Sequence, residues 1–386
     1  MKPIIETVDC PIASGTQFLL GDAASADGAI AAGCNFFAGY PITPASEVMI
    51  RMVHQLKEQN GAFIQMEDEI GSISAMFGAS WAGAKAMTAT SGPGLSLMME
   101  GIGYAVMTET PLVIVDIQRA GPSTGQATRP GSGDVYQVKF GSHGDNETIT
   151  LAPWSVQEMF DLTIEAFNLS EAYRVPTFIL ADKSIGHLRE KVIIPEKIER
   201  WNRPYVPGLA PFDTDDEDGV PSMPSFGMGE KLLVTGSTHD ARGIRKTQDS
   251  AIHEKLVARL VAKVRSVEEQ ISRWETYMTE DADLLIVTYG FAARAAMEAI
   301  DELRAKGIKA GLFRPITIWP FPEKALTTCA KGIDKIIVPE MNWGQLVREV
   351  ERIVHKPVEA IPQVDGEGMR PQTILDGIYR VMEVTV

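Results

Sequence analysis

The sequence predicts an α/β protein of two units, each a mostly parallel sheet with helices packed on both faces. Three observations carry this. From residue 20 to about 185, short apolar runs alternate with helical patterns, and a second such series occupies the C-terminal third. Between them, from Trp201 to Met228, the pattern fails in a stretch rich in Pro and Gly that also holds the acidic run Asp213–Asp218. The units are expected at 1–200 and 283–386, joined by an arm and a helix over 201–282. Within 386 residues each can bury a substantial core.

In chain order, helix Ala23–Ala32 leads to strand Asn35–Ala38, helix Pro44–Glu58, strand Ala62–Gln65, helix Asp68–Ala82 and strand Ala86–Thr90. Helix Leu95–Met107 precedes strand Leu112–Ile117. The next 28 residues, Arg119 to Asn146, contain six Gly and few apolar side chains. A connection this long points to a functional loop, because glycine lets backbone approach a ligand; a plain surface excursion is the simpler alternative. Helix Val156–Glu171 and strand Thr177–Leu180 complete the first unit. Apolar positions from Leu256 to Ile271 predict one amphipathic helix, His253–Trp274, lying across the two units. The second unit reads as strand Leu284–Val287, helix Ala292–Lys306, strand Ala310–Phe313, helix Glu323–Ala330, strand Lys335–Val338, helix Gly344–Val354 and helix Thr373–Val384.

Composition excludes several classes. The formal charge is −15 with no dense Lys/Arg block, which disfavours binding to a phosphate backbone. No window offers about 18 uninterrupted apolar residues for a membrane span, so a cytoplasmic location is the default expectation. Cys10, Cys34 and Cys329 lie far apart and form no C-x-x-C pair, which argues against a self-contained zinc or iron–sulfur site and predicts reduced thiols.

Ligands of an open α/β sheet bind where strands end and helices begin. Four such places have unusual contents: Gly39–Pro44, Glu67–Gly71, Thr90–Gly94 and Gln118–Gly121. Glu67, Asp68 and Glu69 open a helix of small residues. Acids complement a helix N-terminus, yet small residues behind them let another surface approach, and a carboxylate in a dry interface can hydrogen bond a heteroaromatic ring nitrogen. Ser91 and Gly92 open a turn able to cradle an anion or merely to reverse the chain. Arg119 places a guanidinium at the crevice mouth, suited to a carboxylate unless it is simply solvated, and Thr43 offers a hydroxyl or an N-cap. Asn342 is expected to cap the helix that follows it. The stiff segment Arg314–Pro322 suits an interface between subunits or domains.

Taken together, Tyr40-Pro41-Ile42-Thr43-Pro44, Glu67-Asp68-Glu69, Thr88–Gly94, Gln118–Gly125, Gly141–Asp145 and Glu340–Leu346 resemble, in order and spacing, the alpha subunit of 2-oxoacid:ferredoxin oxidoreductases. The resemblance covers most of the chain apart from 205–280. It implies a doubly wound first domain of the thiamine-diphosphate pyrimidine-binding type and a smaller last domain similar to the transketolase C-terminal domain. It also implies that the glutamate matching Glu69 contacts N1′ of the aminopyrimidine, that residues matching Tyr40, Pro41, Ile42, Ser91 and Gly92 line the cofactor, and that those matching Thr43 and Arg119 meet the substrate carboxylate. The implied reaction is oxidative decarboxylation of a 2-oxoacid with coenzyme A, reducing ferredoxin, or its CO2-fixing reverse.

No Gly-Asp-Gly segment occurs for holding a diphosphate and its metal, and cluster cysteines are missing. A beta subunit is therefore implied for the diphosphate, Mg2+ and an iron–sulfur cluster, with gamma and delta subunits as further cluster carriers and an alpha–alpha contact. The Gly121–Gly125 run looks more like the 2-oxoglutarate branch than the branched-chain one; the same chemistry on branched-chain 2-oxoacids or pyruvate is the alternative. The second substrate carboxylate then wants another cation, for which Arg129, Lys139 and His143 are the candidates. The competing readings are a non-oxidative thiamine-diphosphate enzyme and a non-catalytic scaffold subunit.

Overall fold

The computed structural model describes residues 1–382. Its main sheet has eight strands, ordered Thr317–Trp319, Ile149–Leu151, Pro176–Asp182, Leu112–Ala120, Ala86–Thr90, Phe36–Gly39 and Ala62–Gln65, with Gln126–Pro130 paired to Leu112–Ala120 off this path. The six strands from Ile149–Leu151 to Ala62–Gln65 run parallel. Helices Gly21–Ala31, Ser46–Glu58 and Val156–Tyr173 bury Ile30, Met52, Leu56 and Phe160 against one face. Helices Glu69–Trp81 and Gly92–Met107 bury Ile73, Met76, Leu95 and Met98 against the other. Strand Leu112–Ala120 is buried almost throughout, as a central parallel strand covered on both faces must be.

The second sheet runs Trp274–Tyr277, Ala310–Pro315, Leu284–Val287, Lys335–Glu340 and Glu359–Pro362, parallel except for the first. The two sheets share one apolar cluster, in which Leu112, Ile114 and Leu180 meet Val287, Phe313 and Ile318. The stiff segment expected at an interface provides the bridge: Thr317–Trp319 pairs antiparallel with Ile149–Leu151 at the edge of the first sheet, and Trp319 Nε1 donates to Val135 O at 2.9 Å. No helix among the described residues is long and apolar enough to cross a membrane.

Some sequence expectations are corrected. The predicted helix His253–Trp274 is instead helix Ser250–Arg265, a short turn Glu268–Ile271 and the strand Trp274–Tyr277. The apolar period runs on because Val267 and Ile271 still pack on the first core after the helix has ended. The long loop contains a strand, Gln126–Pro130, folded back on Leu112–Ala120, and a helical turn Gln137–Phe140. Two antiparallel ribbons, Ile4–Asp9 with Lys197–Asn202 and Gly15–Leu20 with Arg189–Ile194, join segments far apart in sequence. Helix Leu95–Met107 begins at Gly92, taking the Gly-Pro-Gly run into its first turn, where proline's missing N–H costs nothing. The last helix is Pro371–Val381; positions 383 and 384 of the predicted helix lie outside the described residues.

The arm that follows Trp201 is held by buried charge. Arg174, in a left-handed conformation with φ 50°, donates to the carbonyls of Glu109, Pro211, Pro221 and Ser222. Arg203 joins Glu171 at 2.7 Å and also reaches Ser80 O and Ala84 O. Burial alone would raise the Glu109 carboxyl, but Arg259 and Lys263 hold it well below the usual carboxylate range. Such a network secures the arm only as a whole, because removing one member leaves the others buried and unpaired.

Candidate active site

Strand order locates the crevice. From Phe36–Gly39 the chain moves to Ala62–Gln65 on one side, then crosses to Ala86–Thr90 on the other, and in an open α/β sheet ligands bind where the order reverses, beyond the carboxyl ends of the strands. The turn Tyr40–Pro44 and the turn Thr90–Gly94 stand at that point, with Arg119 beside them.

Asp68, not Glu69, caps helix Glu69–Trp81: its Oδ1 accepts the Gly71 N–H at 2.7 Å. Glu69 is thereby left free to point inward, and it is 5% exposed. Its carboxylate lies against the backbone of the next turn, where a Cβ at Gly94 would stand 2.3 Å from Glu69 Oε1 and 2.2 Å from Thr90 Oγ1. A glycine is therefore required at 94. Burial first, then the neighbouring Asp68, pushes the Glu69 carboxyl above its ordinary value, and no ion-pair partner opposes this among the described residues. Ser91 Oγ, fully buried, also has no hydrogen-bond partner there.

Arg119, 9% exposed, donates from Nη1 to Thr43 O at 2.8 Å, while its Nε is buried without a partner. It lines a cavity of about 670 Å³ with Gly92, Pro93, Ser123, Asn342 and Trp343. The second unit closes this cavity. Ser132 N donates to Met341 O at 3.0 Å, Asn342 Nδ2 to Ser132 O at 2.7 Å and Gln345 Nε2 to Gly133 O at 2.6 Å. Helix Leu346–Val354 is capped by Glu340, whose carboxylate takes the N–H groups of Gln345, Leu346 and Val347. Asn342, the expected cap, ties down the preceding turn at Gly344 and Gln345 instead.

The structure brings Tyr40, Pro41, Ile42, Thr43, Glu69, Ser91, Gly92 and Arg119 to one end of the sheet, although of these only Gly92 and Arg119 line the cavity. None of the three second-carboxylate candidates lines the cavity, although Arg129 packs on Gly366, which does. Lys139 is ion-paired to Glu147, Arg129 to Glu367, and exposed His143 sits in the loop that packs on Gly103, toward the far end of helix Gly92–Met107.

Sequence reasoning missed a pair of acids. Asp116, wholly buried on the central strand with neither oxygen hydrogen bonded among the described residues, lies close enough to Asp134 on the cavity wall to feel its charge. Burial, then the Asp134 charge, holds Asp116 well above the carboxylate range. Burial pushes Asp134 up to about 6 against the opposing effects of Asp116 and Arg119. An aspartate in the middle of an apolar strand run was the available signal. Carboxyls raised in the folded state contribute stability that is present below about pH 4, the unfolded value, and is lost as pH rises through about 6 and beyond. Asp116→Asn is therefore expected to gain in melting temperature over wild type between pH 5 and pH 8. Parallel melting curves across that range count against a raised Asp116 carboxyl.

Fold and site together define a two-unit α/β architecture in which one buried glutamate stands at the strand-order reversal. A family model described as pyruvate flavodoxin/ferredoxin oxidoreductase, thiamine diphosphate-binding, matches residues 27–259, and one for pyruvate:ferredoxin oxidoreductase core domain II matches 282–374. The chain belongs to this oxidoreductase family. It is 50% identical over 363 residues to the 2-oxoglutarate synthase subunit KorA of Methanocaldococcus jannaschii, covering 93% of this chain and 98% of that one. It is 39% identical to the ketoisovalerate oxidoreductase subunit VorB of Methanothermobacter marburgensis, over 95% and 98% of the two chains. Among solved structures, 2-oxoglutarate:ferredoxin oxidoreductase from Magnetococcus marinus superposes with a TM-score of 0.90 at 33% identity, over 96% of this chain and 65% of that longer one. A split-gene transketolase at 13% identity, TM-score 0.56, shares the fold.

Proposed function

We propose that this chain is the alpha-type subunit of a heteromeric enzyme that oxidatively decarboxylates 2-oxoglutarate with coenzyme A. The products are succinyl-CoA and CO2, two electrons pass singly to ferredoxin, and the CO2-fixing reverse uses the same site. The observation that carries this is Glu69: a buried carboxylate, unopposed by any cation among the described residues, laid on Gly94 at the strand-order reversal. Its raised proton affinity suits it to share a proton with a ring nitrogen. These residues fit the pyrimidine end of thiamine diphosphate, which when bound supplies the carbanion chemistry that a 2-oxoacid needs for decarboxylation. Tyr40, Pro41, Ile42, Ser91 and Gly92 would line that ring. Thr43 and Arg119 would hold the substrate carboxylate.

Residues 1–200 form the pyrimidine-binding-type unit in this reading and 201–273 the arm and helix, while strand Trp274–Tyr277 joins the sheet of the second unit, expected from 283, which closes the cavity. A beta chain supplies the diphosphate and Mg2+ site and an iron–sulfur cluster, gamma and delta chains further clusters, and a second alpha chain packs alongside, in the cytoplasm. Ile50, Ile64, Ile70 and Leu97, exposed on the elements around Glu69, support such coverage. With Lys139 and Arg129 ion-paired, the distal carboxylate of 2-oxoglutarate is expected to meet a cation on a partner.

The test is co-purification with the chains of the neighbouring reading frames, followed by assay with ferredoxin and coenzyme A. Cluster absorbance and a kcat/KM for 2-oxoglutarate at least tenfold above that for 2-oxoisovalerate or pyruvate are expected. Equal turnover of 2-oxoisovalerate removes the substrate assignment, and a complex without cluster absorbance favours a non-oxidative enzyme.

A further inference from the structure

The turn that carries Thr43, held by Arg119, is gripped a second time by another strand end. His187 follows the short helix Lys183–Gly186, which starts where the strand Pro176–Asp182 ends. Its Nε2 lies 2.9 Å from Pro44 O. A carbonyl oxygen only accepts, so Nε2 carries the proton and donates it.

The same nitrogen stands 3.5 Å from Glu47 Oε2 and 3.8 Å from Asp22 Oδ2. Asp22 is wholly buried in the first turn of Gly21–Ala31, and neither of its oxygens has a hydrogen-bond partner among the described residues. Gly186 is packed onto it so closely that a Cβ there would lie 2.5 Å from Asp22 Oδ1. Burial, then the charge of Glu47, raises the Asp22 carboxyl well above its ordinary value. Arg51, on the helix that carries Glu47, is spent on Asp27 through bonds of 2.7 and 2.8 Å and does not relieve these two acids.

Two successive carbonyls of one turn are thus pinned from two different strand ends: Thr43 O by Arg119 and Pro44 O by His187. We propose that His187 is a positioning residue for the substrate-carboxylate contact, fixing the Pro44 carbonyl so that the Thr43 hydroxyl and the Arg119 guanidinium face the substrate together. This rests on the reading of Thr43 and Arg119 given above. The ligand atoms of Asp22, Glu47 and His187 also lie within 4.8 Å of one another, close enough to suggest a cation. A nitrogen that donates to Pro44 O has no lone pair left for a metal, so the hydrogen-bonded latch takes precedence.

The experiment uses the assembled enzyme and reads KM and kcat for 2-oxoglutarate in His187→Met, His187→Gln, Thr43→Ala and the double variant that combines His187→Met with Thr43→Ala. His187→Met keeps the bulk and loses the donor. It is expected to raise KM about tenfold with kcat within a factor of two, the sign of lost binding that ground and transition states share. His187→Gln, which restores an N–H donor, is expected to recover most of the loss. Adding His187→Met to Thr43→Ala is expected to change little further, since both act through one turn.

Wild-type KM in His187→Met beside an impaired Thr43→Ala overturns the latch alone, and so do fully additive losses. A silent Thr43→Ala overturns the carboxylate reading itself. Should His187→Met fail to assemble, His187→Leu takes its place, with a KM rise of the same order expected and unchanged KM overturning the proposal. Zn2+ or Mn2+ titrated alone into the enzyme is expected to show no stoichiometric binding; one equivalent bound to wild type and lost in His187→Met reassigns the cluster to a cation.

Discussion

Glu69→Gln lowers turnover of 2-oxoglutarate by on the order of 100-fold or more while leaving assembly and melting temperature near wild type. The magnitude is that of removing a positioned acid–base group. Glutamine matches glutamate in size, and Asp68 rather than Glu69 caps the helix, so the local fold has no reason to change. What changes is proton affinity. A carboxyl raised by burial exchanges a proton with a ring nitrogen at little cost near neutral pH, whereas an amide neither takes nor gives one. The measurement is steady-state kcat with saturating substrate and added thiamine diphosphate, alongside cofactor affinity. Half or more of the wild-type rate in Glu69→Gln would return this chain to the class of non-catalytic scaffold subunits, because no other buried acid faces the Thr90–Gly94 turn from that helix.

The two-unit α/β fold was legible because its signal is local: each buried parallel strand is a short apolar run and each covering helix an amphipathic one. The gathering of the candidate residues at one end of the sheet was legible for a related reason. A crevice at strand ends concentrates its chemistry in the few residues after each run, so Thr43, Glu69, Ser91 and Arg119 could be named one by one. Elements held by distant partners were not legible. The ribbon Ile4–Asp9 with Lys197–Asn202 pairs segments about 190 residues apart and is mostly exposed, so neither strand shows an apolar face. Thr317–Trp319 read as a stiff interface segment and gave no hint that it joins the first sheet. Lys139 could be placed in the right loop, but not against Glu147, which takes its charge. The Asp116–Asp134 pair and the grip of His187 on Pro44 depend on contacts across the fold, and sequence shows only the residues.

Arg119→Met raises KM for 2-oxoglutarate by roughly 10- to 150-fold, the equivalent of about 1.5–3 kcal/mol for hydrogen bonds to a charged group. Within the chain, among the described residues, the guanidinium is hydrogen bonded through Nη1 alone, to Thr43 O. Its buried Nε has no partner, an arrangement that costs free energy unless a ligand supplies an acceptor. A carboxylate in the cavity does so, and the charge of Arg119 is not neutralised by an ion pair among the described residues. Arg119→Lys separates charge from geometry. A lysine keeps the charge as a single point and cannot both reach Thr43 O and present a planar fork, so it is expected to recover only part of the loss. A second signature comes from the wall opposite. Arg119 is one of the influences holding Asp134 down, so Arg119→Met should raise the Asp134 carboxyl further in an NMR titration, whereas Arg119→Lys should leave it in place. Unchanged KM in Arg119→Met would make the Thr43 contact purely structural and place the substrate carboxylate elsewhere in the crevice.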